Sequence, residues 1–165
     1  MYKRQIEGRA RGAEYVYNVV RCYKEAIQAV LDGDFTEEKK DEWDKRLATV
    51  FNRGFWDGYY QGQTLGEWNS NYGSNATEKK VYVGRGVKYF SKLGVAEFTC
   101  EAAEFSVGDK LLITGPTTGV MYVDVDEIRY DLNPVQTAQK GQHVSFRVPG
   151  KIRPSDKLFK IVLNK

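Results

Sequence analysis

Histidine is nearly absent from this 165-residue chain, with His143 the single example. Cysteine occurs twice, as Cys22 and Cys100, far apart and without a CxxC partner. That inventory falls short of the Cys/His set of a closed four-ligand zinc site or an iron–sulfur cluster. Two isolated cysteines read as buried free thiols of a reducing compartment, not as a disulfide, so a cytoplasmic location is expected. Charge of one sign is also lacking. The net charge is +3, and a strong nucleic-acid footprint needs a much more basic domain. No apolar run approaches the roughly 20 residues of a membrane span, and no secretory hydrophobic region opens the chain; no membrane partner is expected. The motifs GxSxG, HExxH and the Walker loop are missing. His143 sits in a β-patterned stretch, and no serine or cysteine stands at a recognisable nucleophile–base spacing from it.

What the chain does have is aromatics and glycines, concentrated in Phe51 to Gly62, FNRGFWDGYYQG. Aromatics bury large areas, and glycine permits close backbone approach or positive φ. The stretch reads as a hinge and plug between a helical part and a β part, or as a helix end followed by an aromatic loop. Before it, Val16, Val19, Val20, Tyr23, Ile27, Val30 and Leu31 recur at helical spacing on one face. Arg21, Lys24, Glu25 and Gln28 fall on the other. Gly33 is placed to stop this helix. Thr36 is placed to cap a second, with Glu37 and Glu38 in its first turn and Trp43, Leu47, Val50 and Phe51 as its apolar stripe. Leu65 to Glu78 is polar and reads as a loop.

From Lys79 the period becomes two. Strands are expected over Val81–Val83 and Val87–Phe90, broken at Gly84-Arg85-Gly86, then over Val95–Cys100, Lys110–Thr114, Val120 onward, His143–Val148 and Lys157–Leu163. Ile128 falls out of phase, which predicts a bulge or strand end near Glu127. Asp124, Asp126 and Glu127 form an acidic cluster, most simply on a wet face, without the spacing of a calcium loop. Arg53, Arg85, Lys88 and Tyr89 are candidate RNA contacts, since a single-stranded RNA surface combines cations with stacking rings. Many solvated β domains show the same mixture.

Two stretches point to a family. IEGRARGAEYVYNVVRCYKEAI, from Ile6, is similar to the IEGRMKSxxYVxxVVxxYR segment of the collagenase-like peptidase U32 family, and FNRGFWDGYYQG resembles that family's NRGFxxGY segment. Order and separation both agree. Ala10, Arg11 and Gly12 depart from the family's Met, Lys and Ser, so Gly12 forfeits a side-chain helix cap. The resemblance implies a (β/α) barrel upstream, with 1–33 the remnant of its last strand and helix. It implies a linker helix and hinge over 34–78, and a C-terminal β-barrel over 79–165 that looks like domain two of elongation factor Tu. Tyr2 to Gln5 also looks like a translated sequencing adapter, and the chain is expected to be the tail of a longer protein.

The expected fold class is therefore α+β, two helices followed by a small antiparallel Greek-key β-barrel. The resemblance also implies function, divided between peptidases and proteins that hydroxylate tRNA or ribosomal RNA. Any iron–sulfur cluster would lie in the missing upstream part, and no cofactor is expected in this portion. The expected role is a substrate-recognition module for the upstream barrel, with RNA binding or a purely structural cap as alternatives. If IEGR ends a barrel strand, Glu7, Arg9 and Arg11 lie near the functional face, where the arginines and the first helix amides could hold an anion. Glu7 and Arg9 could equally pair with each other.

Overall fold

The computed structural model describes residues 5–55 and 73–164. Trp56–Gly62 of the aromatic stretch, Leu65–Tyr72 of the polar loop and Met1–Arg4 lie outside the described residues. Two helices are followed by a mostly antiparallel β domain. The chain divides into two compact units, Met1–Glu78 with Asn164–Lys165, and Lys79–Leu163.

In the first unit α1 spans Ala13–Leu31 and α2 spans Glu37–Ala48. Gly12 is the N-cap of α1 and makes no side-chain cap bond. The Glu14 carboxylate instead folds over the helix start, where a negative charge is favoured. Gly33 ends α1 at φ 69°, with its N–H donating to Val30 O and that of Asp34 to Ala29 O. This paired 5→2 and 6→1 pattern is a Schellman closure, and the positive φ is why glycine stands there. Thr36 caps α2, its hydroxyl accepting from Lys39 N.

The face that α1 buries is not the one its periodicity predicts. Cys22 and Ala29, with Ala26, pack against Trp43 and Leu47 of α2. Small residues at a crossing let two helices approach closely. Of the seven-residue apolar stripe only Val19 is buried, while Val20, Ile27 and Leu31 are 45%, 59% and 75% exposed. Glu25, expected on the wet face, lies at the helix–helix contact. It accepts two hydrogen bonds from the Arg46 guanidinium, at 3.0 and 2.6 Å, and one from Trp43 Nε1 at 3.2 Å. The Arg46 fork holds the Glu25 carboxyl below its ordinary range, and Glu25 raises Arg46 in return.

The second unit holds an eight-stranded sheet in the order β5-β4-β10-β1-β2-β9-β6-β7 and a two-stranded ribbon of β3 and β8. The strands are β1 Glu78–Phe90, β2 Val95–Cys100, β3 Phe105–Ser106, β4 Lys110–Gly115, β5 Gly119–Asp124, β6 Ile128–Tyr130, β7 Asn133–Val135, β8 Thr137–Ala138, β9 His143–Arg147 and β10 Lys157–Leu163. Alternation places Ala96, Phe98 and Cys100 of β2, and Val144 and Phe146 of β9, in one core with Phe105, Ile113, Ile128, Ile152 and Leu158. Phe146 stacks on Phe98 with centroids 4.9 Å apart and meets Phe105 edge-on at 5.5 Å.

The break expected at Gly84-Arg85-Gly86 does not occur; β1 runs through it. A Cβ on Gly84 would stand 1.7 Å from Thr99 O, and one on Gly86 would stand 2.6 Å from Ile152 Cδ1. These glycines admit neighbours and do not turn the chain. The register slips between Gly86 and Lys88, so the irregularity is a bulge within a continuous strand. The discontinuity expected near Glu127 is present as the gap between β5 and β6. Strands β3, β7 and β8 have two or three residues, too few to show a period.

Candidate functional site

The N-terminal candidates do not converge on a shared site. Glu7 Oε1 accepts from the backbone N–H of Arg9 at 2.6 Å, so Glu7 secures its own turn through the main chain. Arg11 lays its guanidinium over the Phe51 ring, 3.5 Å from the centroid, a cation–π contact. Glu14 already brings a carboxylate to the helix start that was to hold an anion. Beyond Phe51, Asn52 shapes the NRG segment. Its amide donates to Val50 O at 3.0 Å and its Oδ1 accepts from Gly54 N at 3.1 Å.

The RNA candidates of the β unit are split between two faces of β1. Arg53 is exposed on the helical unit. Arg85 and Lys88 lie on the outer face of β1, opposite Thr99 and Glu97. Arg85 is ion-paired with Glu101 at 2.8 Å, and Lys88 lies over the Phe90 ring at 5.1 Å. Tyr89 faces the other way and packs against the core, which withdraws its ring from stacking. Glu101 also accepts from Tyr82 Oη at 2.6 Å, raising the Tyr82 phenol.

Cys22 and Cys100 are free and buried, one in each unit. Burial raises both thiols, Cys100 to about 11. Each is the single cysteine of its unit. No group of three or more His, Cys, Asp or Glu among the described residues is placed to hold a metal ion. No helix among them is long and apolar enough to cross a membrane.

A groove of about 570 Å³ lies on the outer face of β2, β9 and β6, within the usual range for ligand sites. Register sets its layout. Val95 opposes Arg147, Glu97 opposes Ser145, and Thr99 opposes His143. On the far side of β9, Arg129 opposes Ser145. The outward side chains thus form rows of mixed sign across three strands. Glu97 lies 3.7 Å from His143 Nδ1, and Glu127 pairs with Arg129 at 2.6 Å.

Two leucines rim this groove, Leu93 at 69% and Leu132 at 85% exposure. Leu132 follows Asp131 in the β6–β7 turn, with φ of 67° and 49°. Two successive positive φ values in a two-residue hairpin are the type I′ turn, which favours Asn-Gly. A leucine there costs on the order of 1 kcal/mol relative to glycine. Sequence reasoning passed over both leucines. The available signal was a bulky apolar residue inside Lys92-Leu93-Gly94, and another between two short strands where turn chemistry calls for glycine.

Residues 2–70 match peptidase family U32. A collagenase of Porphyromonas gingivalis is 62% identical over 156 residues, covering 94% of this chain and 38% of that protein. An uncharacterized protease of Methanocaldococcus jannaschii is 32% identical over 158 residues, with the same two coverages. The chain thus spans 38% of the length of these relatives. The C-terminal domain of a Geobacillus thermoleovorans protein assigned to the U32 peptidases aligns with a TM-score of 0.46 at 22% identity, over 48% of this chain and 90% of that domain. Residues 2–70 thus resemble peptidase family U32, and 94% of the chain is similar to a protein named as a collagenase.

Proposed function

We propose that this chain is the accessory, substrate-recognising part of a collagenase-like U32 protein, with the bond-breaking chemistry carried by a partner domain outside it. Helix α1 seats the chain on that domain, and the β unit meets the polypeptide substrate. The observation that carries this reading is the unburied stripe of α1. Val16, Val20, Tyr23, Ile27, Val30 and Leu31 range from 39% to 75% exposed. Burying what each aliphatic side chain still exposes would contribute on the order of 1 kcal/mol, and a large exposed apolar face marks an interaction surface. The chain's 38% share of its relatives' length leaves ample protein to cover it. A polypeptide substrate follows the name of the P. gingivalis relative. The pairing of Arg85 with Glu101 and the inward turn of Tyr89 favour it over RNA. The β unit takes the Greek-key barrel form of elongation factor Tu domain two. Support comes from its non-sequential neighbours, β10 between β4 and β1 and β9 between β2 and β6.

The test is co-purification of this chain with the remainder of its parent protein, produced as a separate polypeptide. The parent chain co-purifies, and the double variant Val20→Asp/Ile27→Asp does not. The double variant melts within a few degrees of the parent chain when alone, because both sites are already in water. Undiminished co-purification of the double variant refutes the seating role. So does a large drop in its own melting temperature, which would place the stripe inside the chain's core.

A further inference from the structure

The groove over β2, β9 and β6 has features that a merely solvated sheet face does not require. Its two ends are set by register. Val95 opposes Arg147, and Val148 N donates to Gly94 O at 3.0 Å, so the β1–β2 turn bearing Leu93 lies at the Arg147 end of β9. Tyr130 opposes Val144, so the turn bearing Asp131 and Leu132 lies at the His143 end. The five residues of β9 cover about 16 Å at the usual strand rise. A leucine thus stands at each end of a floor one short peptide long.

Leu132 carries the weight of the reasoning. Its backbone is in the left-handed region, where glycine or asparagine would relieve strain, and its side chain is 85% exposed. Neither conformation nor packing within the β unit accounts for a leucine there. Such outliers persist where a function uses them. The remaining chemistry is polar and of both signs. Two arginines, Arg129 and Arg147, stand against Glu97, Glu127 and Asp131 among the lining residues. Arg129 is spent on Glu127, whereas Arg147 is exposed and has no ion-pair partner among the described residues. With Arg129 tied to Glu127, the lining leaves one unpaired guanidinium and no row of cations for a phosphate backbone to track. It suits a ligand that offers apolar side chains to the rim and one carboxylate to Arg147.

We propose that this groove is a binding site for an extended polypeptide segment, anchored by apolar side chains on Leu93 and Leu132 and oriented by a carboxylate at Arg147. The carboxylate end of the segment lies toward Leu93. Anchors four positions apart point the same way on an extended chain and stand about 13 Å apart, which matches the two-ended rim. This deepens the recognition role proposed above and rests on it only in taking polypeptide as the ligand class.

The test uses the whole chain and a fluorescent, N-acetylated eight-residue peptide with leucines four positions apart and a free C-terminal carboxylate. Fluorescence anisotropy is expected to show saturable binding. Leu93→Ser and Leu132→Gly each weaken it at least tenfold. Leu132→Gly also keeps or raises the melting temperature, because glycine fits the turn better than leucine, so its loss of binding cannot be blamed on unfolding. Arg147→Gln removes the preference for the carboxylate peptide over its C-terminal amide. Absence of saturable binding by the parent chain, or unchanged affinity of Leu132→Gly, overturns the proposal. Displacement of the peptide by tRNA with a steep salt dependence would assign the groove to RNA and overturn it as well. Peptide binding with failed co-purification removes the seating role and leaves the groove. Co-purification without peptide binding removes the groove alone.

Discussion

Replacing Gly84 with alanine asks whether β1 is continuous because its glycines make room, and the structure supplies the magnitude. The added Cβ would stand 1.7 Å from Thr99 O and 2.9 Å from the Thr99 carbonyl carbon, both backbone atoms of the paired strand. No rotamer change relieves such a contact. β1 must shift from β2 by more than an ångström, against a normal strand spacing of about 4.8 Å. Two adjacent bonds are strained directly, Glu101 N to Val83 O at 2.7 Å and Ala102 N to Val83 O at 2.9 Å. At about 1 kcal/mol each, plus roughly 1–3 kcal/mol for displaced core side chains, Gly84→Ala should cost about 3–5 kcal/mol. For a unit of this size that is a fall in melting temperature of roughly 15–30 °C. Gly108→Ala is the control. Gly108 has φ 90°, and a Cβ added there would meet nothing within 4 Å, so only backbone conformation is penalised, by about 1–2 kcal/mol. Circular dichroism melts of the two variants decide the matter. If Gly84→Ala is no more damaging than Gly108→Ala, the close-approach account fails and Gly84 belongs to a turn after all.

Asp156 is 3% exposed and accepts hydrogen bonds from Thr118 Oγ1 and, at 2.8 Å, from Arg153 N, tying the β4–β5 turn to the approach of β10. Asp156→Ala strands both donors and should destabilise by about 3 kcal/mol, read as a lowered urea midpoint at constant m; a loss below about 1 kcal/mol would show the tie to be incidental. Glu25 titrates below its ordinary value of 4.5 because Arg46 binds its charged form. A carboxyl whose folded pKa is depressed stabilises above the unfolded pKa and loses that stabilisation as pH falls through the folded one. The parent chain should therefore lose more stability than Glu25→Gln on acidification from about pH 5 to 3, and parallel pH curves would refute this.

Periodicity and punctuation made much of the local structure legible. The reach of α1 follows from recurrences three and four residues apart and a glycine stop. The cap at Thr36 follows from a hydroxyl before two glutamates. The sheet follows from alternation between recognisable turns, and the family resemblance from IEGR and NRGF. Each is a property of neighbours in the chain. What α1 packs against was not legible, because a helical period names a face but not its partner. The contact that forms uses Cys22, Ala26 and Ala29, whose small side chains carry little apolar signal, and it turns Glu25 inward because Arg46 and Trp43 wait on the other helix. Gly84 and Gly86 look like a turn in one dimension and become passages for Thr99 and Ile152 in three. The dispersal of Arg85, Lys88 and Tyr89 over two sheet faces, and the meeting of Leu93 with Leu132 on one groove, depend on strand register. Register joins residues many positions apart, and no local pattern encodes that pairing.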